Sequence, residues 1–190
     1  MKTIKGLFFD LDGTLVDTLE ANAQAYIEAV KAIDKEFTRE MYAEIHGMRV
    51  DLFLPKYFPD ITTEDIDKVR RAKAAIYPKY LHLARPHRQL IDFIKTLRTQ
   101  HTTVLVTMAQ RINTEAVLKA AKLVNMFDFI ITGNDVEHAK PHPESYLKAL
   151  EITGLLSDEA LAFEDSESGI EAAKAAGIPV ITITIPEEII

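Results

Sequence analysis

The chain has 190 residues, 47% hydrophobic and 27% charged, and a formal net charge of -7. That length holds one core domain with a small satellite, and the acidic balance argues against a duty on nucleic-acid backbones, which require clustered Lys and Arg. The lack of cysteine excludes disulfides and thiolate chemistry, and with no apolar run of membrane-spanning length the chain reads as a cytoplasmic protein with no membrane partner.

Ile4 to Phe9 is a short apolar, aromatic run stopped by Asp10, the pattern of a buried parallel strand. From Thr18 to Leu83 there is no convincing strand pattern. Helical periodicity covers Glu20 to Ile33, Thr38 to His46, Asp51 to Tyr57 and Thr63 to Leu83. An all-helical stretch inserted after the first strand predicts a small cap domain over 18–83, a lid on a core made of 1–17 and 84–190. Beyond it, apolar runs at Thr103 to Thr107, Phe129 to Thr132, Ala160 to Phe163 and Val180 to Ile185 predict four more strands. Helical patterns fall between them at Gln89 to Thr99, Asn113 to Leu123, Pro143 to Ile152 and Ser168 to Ala176, the last stopped by Gly177. Strands alternating with helices predict an α/β fold, a Rossmann-like parallel sheet with helices on both faces. The chain ends abruptly after the last run, which suggests that a terminal helix is lacking.

Polar residues of a particular kind follow the strand runs. Asp10-Leu11-Asp12-Gly13-Thr14 closes the first, and carboxylates at i and i+2 around a glycine turn can converge on a hard cation; a plain strand-ending turn also favours Asp and Gly. Thr107 ends the second and sets a hydroxyl beside free backbone amides, a setting for phosphate oxygens, although a β-branched strand residue explains it equally. Lys140 opens Lys140-Pro141-His142-Pro143 after the third, where a constrained lysine acts as a point charge; a solvated loop lysine is the simpler alternative. Glu164 and Asp165 follow the fourth, just before a helix that they could merely cap. Ligands of parallel sheets gather beyond the carboxyl ends of the strands. Acid, hydroxyl, lysine and acid in that order make coincidence a poor account.

In these residues the chain resembles the haloacid dehalogenase-like superfamily, in the branch with a small helical cap after the first strand. Asp10 to Thr14 is similar to its first motif, Thr107 to its second, Lys140-Pro141 to its third, and Glu164-Asp165-Ser166 with Gly169-Ile170 and Ala173 to its fourth. The resemblance covers nearly the whole chain. It implies a phosphoryl-transfer enzyme in which Asp10 attacks phosphorus to form an aspartyl-phosphate and Asp12 serves as acid, then base. It further implies Mg2+ held by Asp10, the backbone carbonyl of Asp12, Asp165 and Glu164, with Thr107, Met108 and Lys140 around the transferring phosphoryl group.

The second acid, Asp12, points to phosphate monoesters rather than to dehalogenation. The implied partner is a small phosphate ester such as a sugar phosphate or phosphoglycolate, on a monomer or weak dimer. A sugar-phosphate mutase similar to β-phosphoglucomutase is the alternative. Mutases of that kind carry a cap histidine where this chain has Asn22, and a lysine after the second motif where it reads Met108-Ala109-Gln110-Arg111. Arg111 could stand in for that lysine. A non-catalytic phosphate-binding protein is the third reading. Specificity is expected from Asn22 and from the cap loop His46-Gly47-Met48-Arg49, where Gly47 allows a tight turn and Arg49 could hold a distal anion. His82, His87, His101 and His138 show no metal-ligand spacing, and His142 reads as a spacer.

Overall fold

The computed structural model describes residues 3–45 and 48–185. Five strands, β1 (Gly6–Phe9), β4 (Thr102–Val106), β5 (Phe129–Ile131), β6 (Ala160–Glu164) and β7 (Val180–Thr182), form one sheet in the order β5-β4-β1-β6-β7. Every pairing in it is parallel, and β1 lies at the centre with Gly6 opposite both Thr102 and Ala160. All four β1 residues are buried, as a strand covered on both faces requires.

The period-two alternation of β1 divides the core. Leu7 and Phe9 pack on one face with Leu90, Ile91 and Ile94 of α5 (Arg88–Leu97) and Val117 and Leu118 of α6 (Arg111–Ala120). Phe8 faces the other way, with Tyr146 and Ala149 of α7 (Glu144–Thr153) and Ala172 and Ala173 of α8 (Glu167–Ala175). Burying that many large side chains, at about 1.5–3 kcal/mol each, is what holds the four helices to the sheet.

The inserted segment contains α1 (Leu19–Ala29), α2 (Arg39–Ala43), α3 (Val50–Tyr57) and α4 (Thr63–Tyr80), and its own apolar cluster around Phe37, Phe53, Leu54 and Val69. Thr62 caps α4 in a reciprocal box with Asp65. Two 3-10 turns, Val30–Ile33 and Leu81–Leu83, end patterns that read as continuous helix in the sequence. Ala21, Ala25, Tyr77 and Leu81 join the core cluster instead, so α1 and α4 pack both within the insertion and onto the sheet domain.

The sequence patterns do not anticipate how the insertion is attached. Val16–Asp17 (β2) and Arg85–Pro86 (β3) pair antiparallel as a two-residue ribbon. Arg85 also pairs with Asp17 at 2.6 Å. The strand at the N-terminus is shorter than its apolar run, since Ile4 and Lys5 precede it. Likewise β7 stops at Thr182, and 186–190 lie outside the described residues.

Candidate active site

The sheet order reverses at β1: the chain builds β4 and β5 on one side and β6 and β7 on the other. A crevice is expected beyond the carboxyl ends at such a point, and the charged residues collect there. Asp10 directly follows β1, tied to β6 by its backbone nitrogen, which donates to Phe163 O at 3.0 Å. The chain then turns back at Gly13, whose φ is +91°. A Cβ at Gly13 would lie 2.1 Å from Asp165 Oδ2, so only glycine fits both the backbone and the neighbouring carboxylate.

Lys140 joins the strand ends. Its Nζ donates to Asp10 Oδ1 at 2.7 Å, Glu164 Oε1 at 2.5 Å and Val106 O at 3.0 Å, with the side chain 4% exposed. Tyr146 donates to the same Glu164 oxygen at 2.6 Å. Thr14 donates to Asp165 Oδ1 at 2.8 Å. Thr107 is buried, and its hydroxyl accepts from the Ala109 backbone nitrogen at 3.0 Å, shaping the turn after β4. Burial holds the Asp10 carboxyl well above the usual carboxylate range; Lys140 opposes this, and Glu164 and Asp165 add to it. Lys140 itself is held above the usual lysine range, its desolvation outweighed by the two carboxylates.

Asp12 points away from that cluster, toward the insertion. It accepts from the Thr18 hydroxyl and from Asn22 Nδ2 at 3.4 Å. Asn22 also donates to Thr18 at 3.0 Å, so one face of the α1 segment carries the groups that hold Asp12.

A cavity of about 130 Å³ lies between the strand ends and the insertion. Asp10, Asp12, Thr107, Met108, Lys140 and Asp165 line it from below, and Asn22, Tyr26, Arg49, Arg70 and Lys73 from above. Arg49 donates to both oxygens of Asp51, at 3.1 and 2.8 Å, and to Glu137 O at 3.4 Å. Gly47 and His46 lie outside the described residues. Arg111 pairs with Asp135 at 2.7 Å and is not among the residues of the cavity wall.

Lys73 was not anticipated. It is 4% exposed and stacks on Tyr77, 3.3 Å from the ring centroid, and burial brings its pKa down to about 7. Its signal was legible: Val69, Lys73 and Tyr77 fall at i, i+4 and i+8 of α4 and are all buried, a cation set in an apolar stripe.

Asp10, Glu164 and Asp165 each offer a carboxylate oxygen within 4.8 Å of the others. Glu164 is fully buried, yet its Oε2 has no hydrogen-bond partner. An orphan oxygen in an all-carboxylate set suits a hard divalent cation, so these residues fit the metal that the sequence resemblance implies.

The sequence matches the haloacid dehalogenase-like hydrolase family over residues 7–183. The chain belongs to that family. It is 29% identical to a phosphorylated carbohydrates phosphatase of Thermotoga maritima over 92% of this chain and 82% of the relative. To the fructose-1-phosphate phosphatase YqaB of Escherichia coli it is 25% identical, over 95% and 96%. Among solved structures, CbbY from Rhodobacter sphaeroides in complex with phosphate superposes with a TM-score of 0.85 at 28% identity, over 96% and 87% of the two chains. This hydrolase family therefore accounts for the parallel sheet with its helical insertion. Among the described residues, no helix is long and apolar enough to cross a membrane.

Proposed function

We propose that this chain is a Mg2+-dependent phosphatase of small phosphate monoesters, working through a phosphorylated Asp10. The observation that carries the reading is the separation of two acids at one cavity. Asp10 is fixed by Lys140, 2.7 Å away, while Asp12 is held by Thr18 and Asn22 on the insertion's side. This separation supports Asp10 as the nucleophile and Asp12 as the proton carrier.

In this reading Asp10 Oδ attacks phosphorus and the P–O bond to the alcohol breaks. Asp12 gives its proton to the departing oxygen, then takes one from the water that cleaves the Asp10 phosphate. Lys140 and Thr107, with the backbone around Met108, stabilise charge on the transferring oxygens. Asp10, Glu164, Asp165 and the Asp12 carbonyl would hold the divalent cation, which supplies the positive charge that lets a carboxylate approach an anionic ester. The cavity is no larger than the engineered cavity of about 150 Å³ that takes one benzene, which favours a phosphoryl group on a short carbon skeleton. The names of the two phosphatase relatives support a phosphorylated carbohydrate. Residues 18–83 act as the cap in this reading, and Arg49 and Lys73 hold the substrate's distal polar groups, beside Asn22.

The mutase alternative loses support from Asn22, which is bonded to Asp12, and from Arg111, which is engaged with Asp135. Release of inorganic phosphate from a panel of sugar phosphates and phosphoglycolate, with and without Mg2+, tests the proposal. Asp10→Asn is the control. Metal-dependent release that the variant lacks is expected. Interconversion of a hexose phosphate primed with its bisphosphate, with little net release, would instead favour the mutase.

A further inference from the structure

The loop that carries Lys140 brings together two imidazoles that the proposed reaction does not use. The rings of His138 and His142 lie 4.5 Å apart, centroid to centroid. Both Nδ1 atoms are directed at Glu144, the first residue of α7. His138 Nδ1 is 3.0 Å from Glu144 Oε2, and His142 Nδ1 accepts weakly from the Glu144 backbone nitrogen at 3.3 Å. One ligand atom from each residue lies within 4.8 Å of the other two. His138 and His142 are four residues apart, an H-x3-H spacing used by metal ligands, and the loop brings both to the start of the helix.

The carboxylate is pre-organised. It accepts from the backbone nitrogens of Glu137 at 3.0 Å and His138 at 2.8 Å, and these bonds draw its pKa down to about 2. Tetrahedral zinc with bonds near 2.0–2.1 Å sets neighbouring ligand atoms about 3.3 Å apart. The His138–Glu144 separation is within a few tenths of that. Both imidazoles are exposed, which leaves coordination positions to water.

We infer that His138, His142 and Glu144 form a second cation site, selective for a borderline transition ion such as Zn2+, Ni2+ or Cu2+ over Mg2+. Two nitrogens and one oxygen suit such ions, whereas Mg2+ prefers an all-oxygen set. The ion replaces the hydrogen now shared between His138 Nδ1 and Glu144 Oε2. Its position also gives it leverage. A shallow cleft runs between this loop and the start of α3, lined by His138, His142, Arg49, Asp51 and Leu52. Arg49 already reaches across it to Glu137 O. An ion that fixes 138–144 therefore fixes the loop that holds Lys140 and the Glu137 carbonyl that Arg49 of the insertion reaches.

Calorimetric titration of the full chain with Zn2+, in excess Mg2+ to fill the acidic set, tests the site. The wild type is expected to bind one Zn2+ under these conditions. The double variant His138→Ala/His142→Ala should lose at least tenfold in Zn2+ affinity with an unchanged circular dichroism spectrum. Asp165→Asn should keep the Zn2+ site. Absence of Zn2+ binding by the wild type, or equal binding by the double variant, overturns the inference, as does binding that only Asp165→Asn abolishes. None of these readouts depends on the phosphatase reading, so the two can fail separately.

Discussion

Lys140 and the carboxylates around it are set against each other in stability. Its ammonium is the cation bonded to two buried acids, and breaking a buried pair costs about 3–5 kcal/mol because the partner charges are left uncompensated. Lys140→Met should therefore destabilise the metal-free protein by about that much in urea unfolding, with part of the loss recovered on adding Mg2+. Asp10 has the opposite character. Its folded pKa is raised, so its contribution to stability is present at low pH and is lost as pH rises through the folded value. Asp10→Asn removes that cost, and its melting temperature near neutral pH should equal or exceed the wild type's while turnover vanishes. Lys73, pushed down to about 7, carries a different signature. The unfolded chain holds that proton up to about pH 10.4, so stability should rise with pH between about 7 and 10. In Lys73→Met this rise should flatten in melts taken across the range, and KM for an anionic substrate should increase more than kcat falls.

Helix α8 is placed by what it lacks. A Cβ at Gly169 would sit 2.1 Å from Glu164 Oε2, so the first turn reaches the end of β6 with the Glu164 carboxylate in place because glycine stands there, while Ser166 Oγ accepts from Gly169 N at 3.1 Å. Gly169→Ala should push Glu164 aside and weaken Mg2+ binding, read by calorimetry, by a larger factor than it lowers the melting temperature. The sheet elements were legible because each apolar run is short and ends in a charge or turn, and helix starts shifted by no more than two residues, as at Arg88 and Glu167. The β2–β3 ribbon was not legible, since two residues carry no period and its pairing spans the whole insertion. The acids and Lys140 announced themselves at strand ends. Thr18 did not, because its meaning lies in what the start of α1 faces, whereas Lys73 shows only as a cation set in the apolar stripe of α4. The pairing of His138 with His142 is legible as an H-x3-H spacing, whereas its closure by Glu144 depends on how the loop meets α7.

Across the whole molecule, protons and cations compete for one acidic set. With Asp10 raised in the metal-free protein, cation binding below its folded pKa releases a proton, so over that range Mg2+ affinity should grow with pH, and calorimetry in buffers of different ionisation enthalpy should register the release. Among the described residues, the insertion meets the sheet domain through α1, α4 and an Arg49 bond to Glu137 O. The two chain passages that join them run side by side, Asp17 opposite Arg85. A segment whose ends already touch can be excised and the gap closed by a short turn, without asking any strand of the sheet to move. On the proposed reading, substrate preference then sits behind a doorway two residues long, and Thr18 and Asn22 are the threads by which that segment also reaches the bond-breaking machinery at Asp12.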